Sequence, residues 1–358
     1  MPSQPPLPHL LVPYISTPPQ TSLTVLSSVL GATGNWLVLR FLYAALSTSP
    51  LSDTAGFGLQ GETGRKRKVV LVSFLRGWEF WRTEAKRLGL DLARLSERRQ
   101  FAFVDGLSEL FCTPPVTVQP TSQSQFSGAT IPPRTAFPLR PQPASPATAR
   151  SRQPAPPPPG SGRAVPQTAA KETDGPKRLH FSGSGVAALD ALEEDIATVI
   201  KLLKTPTPGE EEESEVLLVV DQPDLLLAAT GPSKGIGGTE MGEWIMGLQQ
   251  APTATIVTIS ADSPLIHNAS TFGHQTSTPL EAENAAFAVG LAHRAEMVMQ
   301  LRNLETGAAR DVSGVLRVSK GGAWGQRESE TAQENWEEKE VLYFVQRDGG
   351  VSVFGRGE

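Results

Sequence analysis

The sequence predicts an α/β fold in which a mostly parallel central sheet is flanked by helices and ends in antiparallel hairpin strands. Three observations predict it. Short β-branched runs alternate with helical segments along the chain. Several of these runs are apolar at nearly every position, which is typical of parallel strands buried on both faces. After residue 295 the strand candidates follow one another directly, which predicts antiparallel hairpins.

Three strands and two helices are predicted before residue 113. The first helix is apolar on nearly every side, which predicts that it is buried, and Asn35 is a residue type that caps helix N-termini. In chain order these elements are the strand Ser22–Val29, the helix Asn35–Leu46, the strand Val69–Phe74, the helix Glu79–Leu88 and the strand Phe101–Val104.

From residue 181 onwards the alternation resumes. Apolar residues at spacings of three and four predict an amphipathic helix that begins after Ser184 and ends near Leu203. The later elements are the strand Val216–Val220, the helix Glu240–Leu248, the strand Ala254–Ile259, the helix Glu281–His293 and the strands Ala295–Leu301, Gly314–Ser319 and Val341–Val345.

A proline-rich stretch separates these two parts. Sixteen of the 31 prolines lie between Thr113 and Pro176, and residues 113–170 contain five arginines and no Asp or Glu. Such a composition buries too little apolar area to offset chain entropy. We therefore predict one domain, formed by residues 8–112 and 181–358, with a disordered basic insertion at 113–180. Two acidic stretches, 205–215 and 325–340, are predicted to be flexible loops.

Composition excludes several classes of protein. A single cysteine, Cys112, leaves neither a disulfide framework within the chain nor a cysteine-based zinc site. The longest apolar run, Trp36–Leu46, is shorter than a membrane span and contains Arg40. The N-terminus lacks the basic region of a secretory signal. We therefore expect no membrane association and a location in the cytoplasm and nucleus.

The residues that could carry chemistry are sparse. The five histidines are scattered without the spacing of metal ligands. No arrangement of serine, histidine and carboxylate supports nucleophilic catalysis. The sequence therefore predicts no catalytic residue, no metal site and no cofactor.

The turn between the first strand and the first helix invites comparison with a phosphate-binding loop. Such a loop needs G-x-x-x-x-G-K-[ST], in which lysine neutralises charge and the hydroxyl ligates magnesium. When the second glycine is aligned on Gly34, Val29 stands where the first should be. Asn35 then replaces the lysine and Trp36 the hydroxyl residue. Gly31 and Gly34 still permit a tight turn, so we predict a degenerate, non-hydrolysing loop.

A second partial match is the apolar strand that ends in Asp221, where many nucleotide hydrolases hold magnesium. A turn-forming aspartate is common at the end of any buried strand, so we favour a structural role for Asp221. The later glycine-rich loop Gly231–Gly238 contains Lys234 but has no G-K-[ST] ending, and we predict a connection rather than a phosphate cradle.

Four fragments, in this order, are similar to subunit six of the Elongator complex, in particular to its fungal members. They are GATGNWLVLRFL (Gly31–Leu42), VVLVSFLRGWEFWRTEAKRLGLDL (Val69–Leu92), RRQFAFVDGL (Arg98–Leu107) and ARDVSGVLRVSKGG (Ala309–Gly322). They lie on both sides of the insertion, whereas the insertion itself matches nothing.

The resemblance implies a RecA-like ATPase fold that has lost the phosphate-loop residues, which agrees with Asn35 and Trp36. It implies assembly with Elongator subunits four and five into a hetero-hexameric ring with two copies of each. That ring binds tRNA and joins the catalytic Elongator subunits, which modify wobble uridines at carbon five. Two alternatives remain open: an active RecA-like NTPase, which needs a lysine at Asn35, and an adaptor that works through its proline-rich segment.

If the chain contacts RNA, two segments are candidates. One is the loop His267–Thr278, and the other is the predicted hairpin with Arg310, Arg317 and Lys320, whose cations could meet phosphates. The alternative is that the hairpin arginines pair with nearby carboxylates, which we favour for Arg302 because it lies inside a predicted strand.

Overall fold

The computed structural model describes residues 7–16, 18–47, 67–112, 175–206, 213–266, 277–305, 307, 309–326 and 336–355. Its strands are β1 (Leu23–Ser28), β2 (Arg67–Ser73), β3 (Phe101–Asp105), β4 (Lys177–Arg178), β5 (Glu215–Asp221), β6 (Ala254–Ser260), β7 (Met297–Arg302), β8 (Gly314–Lys320), β9 (Lys339–Val345) and β10 (Val351–Phe354). Its helices are α1 (Val12–Ile15), α2 (Asn35–Leu46), α3 (Trp78–Arg87), α4 (Leu92–Glu97), α5 (Gly185–Lys204), α6 (Asp224–Thr230), α7 (Gly238–Leu248), α8 (Ser263–Ile266) and α9 (Pro279–Arg294), with 3-10 turns at His9–Leu11 and Pro232–Lys234.

The described strands form one sheet in the order β10-β9-β8-β7-β1-β6-β5-β2-β3-β4. From β7 to β4 every neighbouring pair is parallel, whereas β7, β8, β9 and β10 pair antiparallel in sequence. This confirms the predicted α/β class, the mostly parallel sheet and the antiparallel C-terminal strands.

Helices cover the two faces of the parallel part of the sheet. On the first face, α1, α2, α3 and α4 bury one apolar cluster that includes Phe41 and Trp81. On the second face, α5, α6, α7 and α9 bury another that includes Ile196 and Phe287. Residues such as Val70 and Leu71, which are adjacent in β2, point into different clusters, so the strand is apolar throughout because both of its faces are buried. None of the described helices is long and apolar enough to cross a membrane.

The helix α2 has the predicted bounds, but the prediction for its cap is wrong. Gly34 is the N-cap, Asn35 is the first helical residue, and the cap receives no side-chain hydrogen bond. The capping position therefore lies one residue earlier than the capping preference of Asn35 predicts. Arg40, in the middle of α2, is 2% exposed, and its Nη2 donates to the Gly349 carbonyl oxygen at 3.0 Å.

The structure moves three boundaries. Lys177–Arg178, which we placed in the insertion, pairs with β3, and Leu179 is fully buried. Glu215 and Lys339–Glu340, which we placed in flexible loops, belong to β5 and β9. Each of these segments is held in the sheet by backbone pairing with a neighbouring strand, and residue composition does not indicate such pairing. Most of the insertion, 113–174, and the loop centres, 207–212 and 327–335, lie outside the described residues.

Deletion of residues 113–170 is expected to leave the free energy of unfolding within about 1 kcal/mol of the full chain. The chain leaves the sheet at Asp105, and the described residues before the insertion end at Cys112. The Leu179 and Phe181 N–H groups donate to the Asp105 and Leu110 carbonyl oxygens, so both ends of the insertion lie at one edge of the sheet. Loop-closure entropy varies only slowly with loop length. Urea unfolding of the two chains measures this difference. A deletion variant that aggregates would show that the segment contributes to folding.

Candidate functional site

The centre of the sheet is the place where an α/β fold of this topology offers a ligand site. From β1 the chain crosses β6 and β5 to reach β2, whereas from β6 it crosses β1 to reach β7. The two connections leave neighbouring strands in opposite directions, and ligands of open α/β sheets bind at the carboxyl ends of such strands. The loop after β1, which we compared with a phosphate loop, lies at this point.

The chain's own side chains close that loop. The Leu30 N–H donates to Asp262 Oδ1 at 2.9 Å, and Asn303 Nδ2 donates to the Leu30 carbonyl oxygen at 3.0 Å. The Ala32 N–H donates back to the Val29 carbonyl oxygen at 2.9 Å. A phosphate loop presents free N–H groups to an anion. Here two of those groups are already bonded, and one of them is bonded to a carboxylate that would repel phosphate.

The two glycines of the loop allow it to adopt this closed conformation. Gly31 has φ +91°, in the region that favours glycine, and a Cβ there would lie 3.2 Å from Asn303 Oδ1. A Cβ on Gly34 would lie 3.3 Å from the Leu301 side chain. The glycines therefore let the loop turn tightly and let Asn303 approach its backbone.

The two residues that replace the lysine and the hydroxyl also have internal partners. Asn35 Oδ1 accepts from Thr33 Oγ1 at 2.8 Å. Trp36 is 5% exposed and packs on Tyr343, with ring centroids 4.9 Å apart. The tryptophan thus belongs to the core beneath the loop rather than to the loop surface.

Asp221, at the end of β5, lies in a hydrogen-bonded network with the neighbouring strand ends. Its carboxylate accepts from Ser73 Oγ at 2.8 Å and from Thr258 Oγ1 at 2.9 Å, and Arg76 Nη1 lies 3.3 Å from both oxygens. Burial raises the pKa of Asp221, while the Arg76 charge and the hydroxyl hydrogen bonds lower it. Both oxygens are engaged within the protein, which is the geometry of a carboxylate that joins strands.

A second polar group extends the network beyond β5. Gln222 adopts φ +58°, which is uncommon for a residue with a Cβ, and its N–H donates to Thr258 Oγ1 at 3.0 Å. Ser260 joins both neighbours, since its hydroxyl donates to Gln222 Oε1 at 2.8 Å and its N–H to Asp224 Oδ2 at 3.2 Å. Burial is the main cause of the raised pKa of Asp224, and the charge of Asp221 adds to it.

The later glycine-rich loop is closed in a similar way. Glu240 Oε2 accepts from the Gly237 N–H at 2.8 Å, and Glu283 Oε2 accepts from the Gly238 N–H at 2.6 Å. Two carboxylates thus occupy the N-terminus of α7, where a phosphate would otherwise bind. Lys234 is exposed on the preceding turn.

The structure does not bring the three predicted RNA-binding cations together. Leu316 and Val318 point into the first-face cluster, so Arg317 projects from the opposite face of β8, while Lys320 lies on the side of Leu316. Arg310 is exposed in the connection from β7 to β8. Residues 267–276 of the other candidate loop lie outside the described residues.

Arg302 is paired as predicted. Its guanidinium binds Glu340 at 2.7 Å and also Glu305, and the hydrogen bonds to these two carboxylates raise the pKa of Arg302. This arginine therefore stabilises the antiparallel part of the sheet. Among the described residues, no group of three or more His, Cys, Asp or Glu side chains is placed to hold a metal ion.

Sequence reasoning missed the residues that close and brace this edge: Arg76, Thr258, Asp262 and Asn303. Part of the signal was present, because Ser73, Asp221 and Thr258 are polar residues at or near the carboxyl ends of buried strands, which meet at one edge of a parallel sheet. Asp262 and Asn303 had no such signal, since each reaches the first loop from far along the chain.

Comparison of the chain with models of protein families and with curated proteins gives no match.

Proposed function

We propose that this chain is a non-catalytic, RecA-like subunit of the Elongator complex. It assembles with subunits four and five into a hetero-hexameric ring, and that ring holds tRNA for the catalytic subunits that modify the wobble uridine at carbon five. The subunit acts in the cytoplasm and nucleus and contributes surface rather than chemistry.

One observation carries the non-catalytic part of the proposal: the loop after β1 is closed by the chain's own polar groups. Asp262 accepts a hydrogen bond from the Leu30 N–H, and Asn303 donates one to the Leu30 carbonyl oxygen. An NTPase requires that the same loop remain open, with a lysine at its end. Here a carboxylate stands at the loop and Asn35 occupies the lysine position.

The strand-end aspartate supports the same proposal. In an NTPase such an aspartate needs an oxygen free for magnesium and its water shell. Asp221 instead gives both oxygens to Ser73, Arg76 and Thr258. Magnesium would have to displace a cation and two hydroxyl donors, so the alternative of an active NTPase is disfavoured.

The architecture supports the RecA-like assignment. A mostly parallel sheet with helices on both faces agrees with the fold that the resemblance implies. The antiparallel strands follow it, and they include the segment ARDVSGVLRVSKGG, which is similar to the closing hairpin of the fungal members. The proline-rich adaptor alternative depends on residues 113–174, which lie outside the described residues.

The purified chain is expected to show no ATP turnover above the level of a buffer control. The closed loop lacks the lysine and the hydroxyl, and Asn35→Lys alone should not create activity because Trp36 remains in the core. The measurement is phosphate release with magnesium present, with Asp262→Asn as a second variant that removes the loop carboxylate. Robust turnover by the unmodified chain that Asn35→Ala abolishes would contradict the proposal.

Assembly is the other half of the proposal. Co-expression with Elongator subunits four and five should give a complex with the mass of a hexamer containing two copies of each chain. The insertion deletion described above is the matched variant, since it should assemble equally well. Separate elution of this chain from the other two would contradict the ring assignment.

A further inference from the structure

Two tryptophans lie side by side at the surface beyond the end of β8. The ring centroids of Trp324 and Trp336 are 4.2 Å apart, at an interplanar angle of 36°. Trp336 meets Tyr14 edge-on at 5.7 Å, and the Tyr14 hydroxyl donates to the Glu337 carbonyl oxygen at 2.8 Å. Lys320 is exposed and holds its Nζ 5.3 Å from one indole centroid and 5.8 Å from the other. We call Lys320, Trp324 and Trp336 the indole platform.

The turn that presents Trp324 is fixed by close packing. A Cβ on Gly321 would clash with the Ala295 carbonyl oxygen, and one on Gly322 would clash with the His293 carbonyl oxygen. The Trp324 N–H donates to the Gly321 carbonyl oxygen at 3.2 Å. Two positions that only glycine fits thus hold the turn against the end of α9, so the indole is pre-positioned.

Among the described residues, Trp324 belongs to neither apolar cluster. Tyr14 is a member of the first-face cluster and Trp336 packs against it, whereas Trp324 is only partly buried and its ring lies against Trp336 and Lys320. A rigid turn that carries a large aromatic ring outside the core is typical of a binding surface, where tryptophan supplies much contact area at low entropic cost.

The charges around the platform are mixed, but the cation is the group placed against the rings. The Glu338 carboxylate accepts the Lys320 N–H at 3.0 Å and is thereby directed towards the strand. Glu337 is exposed. Lys339 lies beside Val318, on the same face of the sheet as Lys320. Two lysine side chains therefore lie on the same face of the sheet as the paired indoles.

We propose that the indole platform binds a single-stranded segment of nucleic acid, with one base stacked near Trp324 and the adjacent phosphate at Lys320. Flat aromatic rings beside cations are the recurring elements of such sites. We favour a nucleic acid over a protein partner because the residues that flank Trp324 in the sequence are glycine, alanine and glutamine rather than large apolar side chains that would form a groove. The choice of RNA as the nucleic acid rests on the proposed function.

The proposal assigns different roles to two cations of one strand. Lys320 lies on the platform, while Arg317 is exposed on the opposite face of β8. Arg317→Gln is therefore a matched control for Lys320→Gln, because both remove one exposed positive charge from β8. Trp324→Leu and Trp324→Phe form a second pair, since leucine keeps apolar volume and phenylalanine keeps an aromatic face.

The test is fluorescence anisotropy of a labelled eight-nucleotide oligouridine with the full 358-residue chain at two low salt concentrations. Trp324→Leu should weaken binding by about 5- to 100-fold and Trp324→Phe by much less, because base stacking needs an aromatic face. Lys320→Gln should weaken binding and flatten the salt dependence, whereas Arg317→Gln should change neither beyond what net charge explains.

Three outcomes would overturn the proposal: no binding by the unchanged chain at low salt, equal binding by Trp324→Leu, or equal losses for Lys320→Gln and Arg317→Gln. Loss of a protein partner without any change in oligouridine binding would assign the surface to protein instead. The assay uses the chain alone, so its failure is distinguishable from failure of the ring assignment, which co-expression tests.

Discussion

Replacing Asp221 with alanine is expected to lower the free energy of unfolding by about 3–5 kcal/mol, because it removes one partner of a buried ion pair. The Asp221 carboxylate is almost completely buried and joins β5 to β2 through Ser73 and to β6 through Thr258. Its loss leaves the Arg76 guanidinium, whose side chain is 17% exposed, without its counter-ion. Urea unfolding followed by circular dichroism measures the change.

The double variant Arg76→Met/Asp221→Leu separates the cost of an unpaired charge from the value of the pair. It removes both charges and should recover a large part of the stability that Asp221→Ala loses. Asp311→Ala, which removes an exposed carboxylate elsewhere, is the control and should change stability little. If Asp221→Ala unfolds at the same urea concentration as the unchanged chain, the network does not hold the strand ends together.

Replacing Arg40 with methionine is expected to raise the free energy of unfolding by about 1–3 kcal/mol, since a well-packed apolar residue avoids the cost of burying a charge. Arg40 lies in the apolar helix α2, where Nη2 donates to the Gly349 carbonyl oxygen and Nε has no hydrogen-bond partner among the described residues. Burial lowers the pKa of Arg40 to about 10. Because the folded pKa lies below the unfolded one, the cost is fully present below pH 10 and fades only as the pH rises above it.

Thermal and urea unfolding at pH 7 measure this gain. Arg40→Lys keeps the charge but shortens the reach to the turn at Gly349, and it should be less stable than the unchanged chain. Arg310→Met, which removes an exposed arginine in the connection from β7 to β8, is the control for a general effect of charge removal. A loss of stability in Arg40→Met larger than that in Arg40→Lys would show that the bond to Gly349 outweighs the cost of burial.

The elements with a long, periodic or uniformly apolar pattern could be predicted from sequence. The helix Asn35–Leu46 has the predicted bounds, and the predicted core strands agree with the observed ones to within two residues at each end. Burial in the core determines the secondary structure of these segments, and their apolar composition indicates that burial directly. The antiparallel C-terminal order also followed from strand candidates that succeed one another without a helix.

The short elements could not be predicted, because contacts rather than composition define them. The strand Lys177–Arg178 consists of two charged residues and exists through its pairing with β3. The strand Val351–Phe354 extends an edge that β9 provides. The helix Asp224–Thr230 begins three residues after a strand that already ended in a turn-forming aspartate, so its apolar residues gave no separate signal.

The candidate site divides in the same way. Asn35 and Trp36 could be identified as substitutions because the loop pattern is local. Asp262 and Asn303 could not, since each acts across more than 200 residues of sequence. The sequence could have predicted that Arg317 and Lys320 lie on opposite faces of the sheet, because residues three apart in a strand point to opposite faces. The indole platform depends on a turn geometry that two glycines only partly indicate.

Affinity purification of the endogenous chain, followed by identification of its partners, tests whether the chain is an Elongator subunit. We expect Elongator subunits four and five to be recovered in amounts equal to this chain, with the catalytic subunits beside them and tRNA in the preparation. The same recovery is expected from a chain that carries Asn35→Ala, because the closed loop does not act through nucleotide. Recovery of the chain without subunits four and five would show that it is not a subunit of this ring.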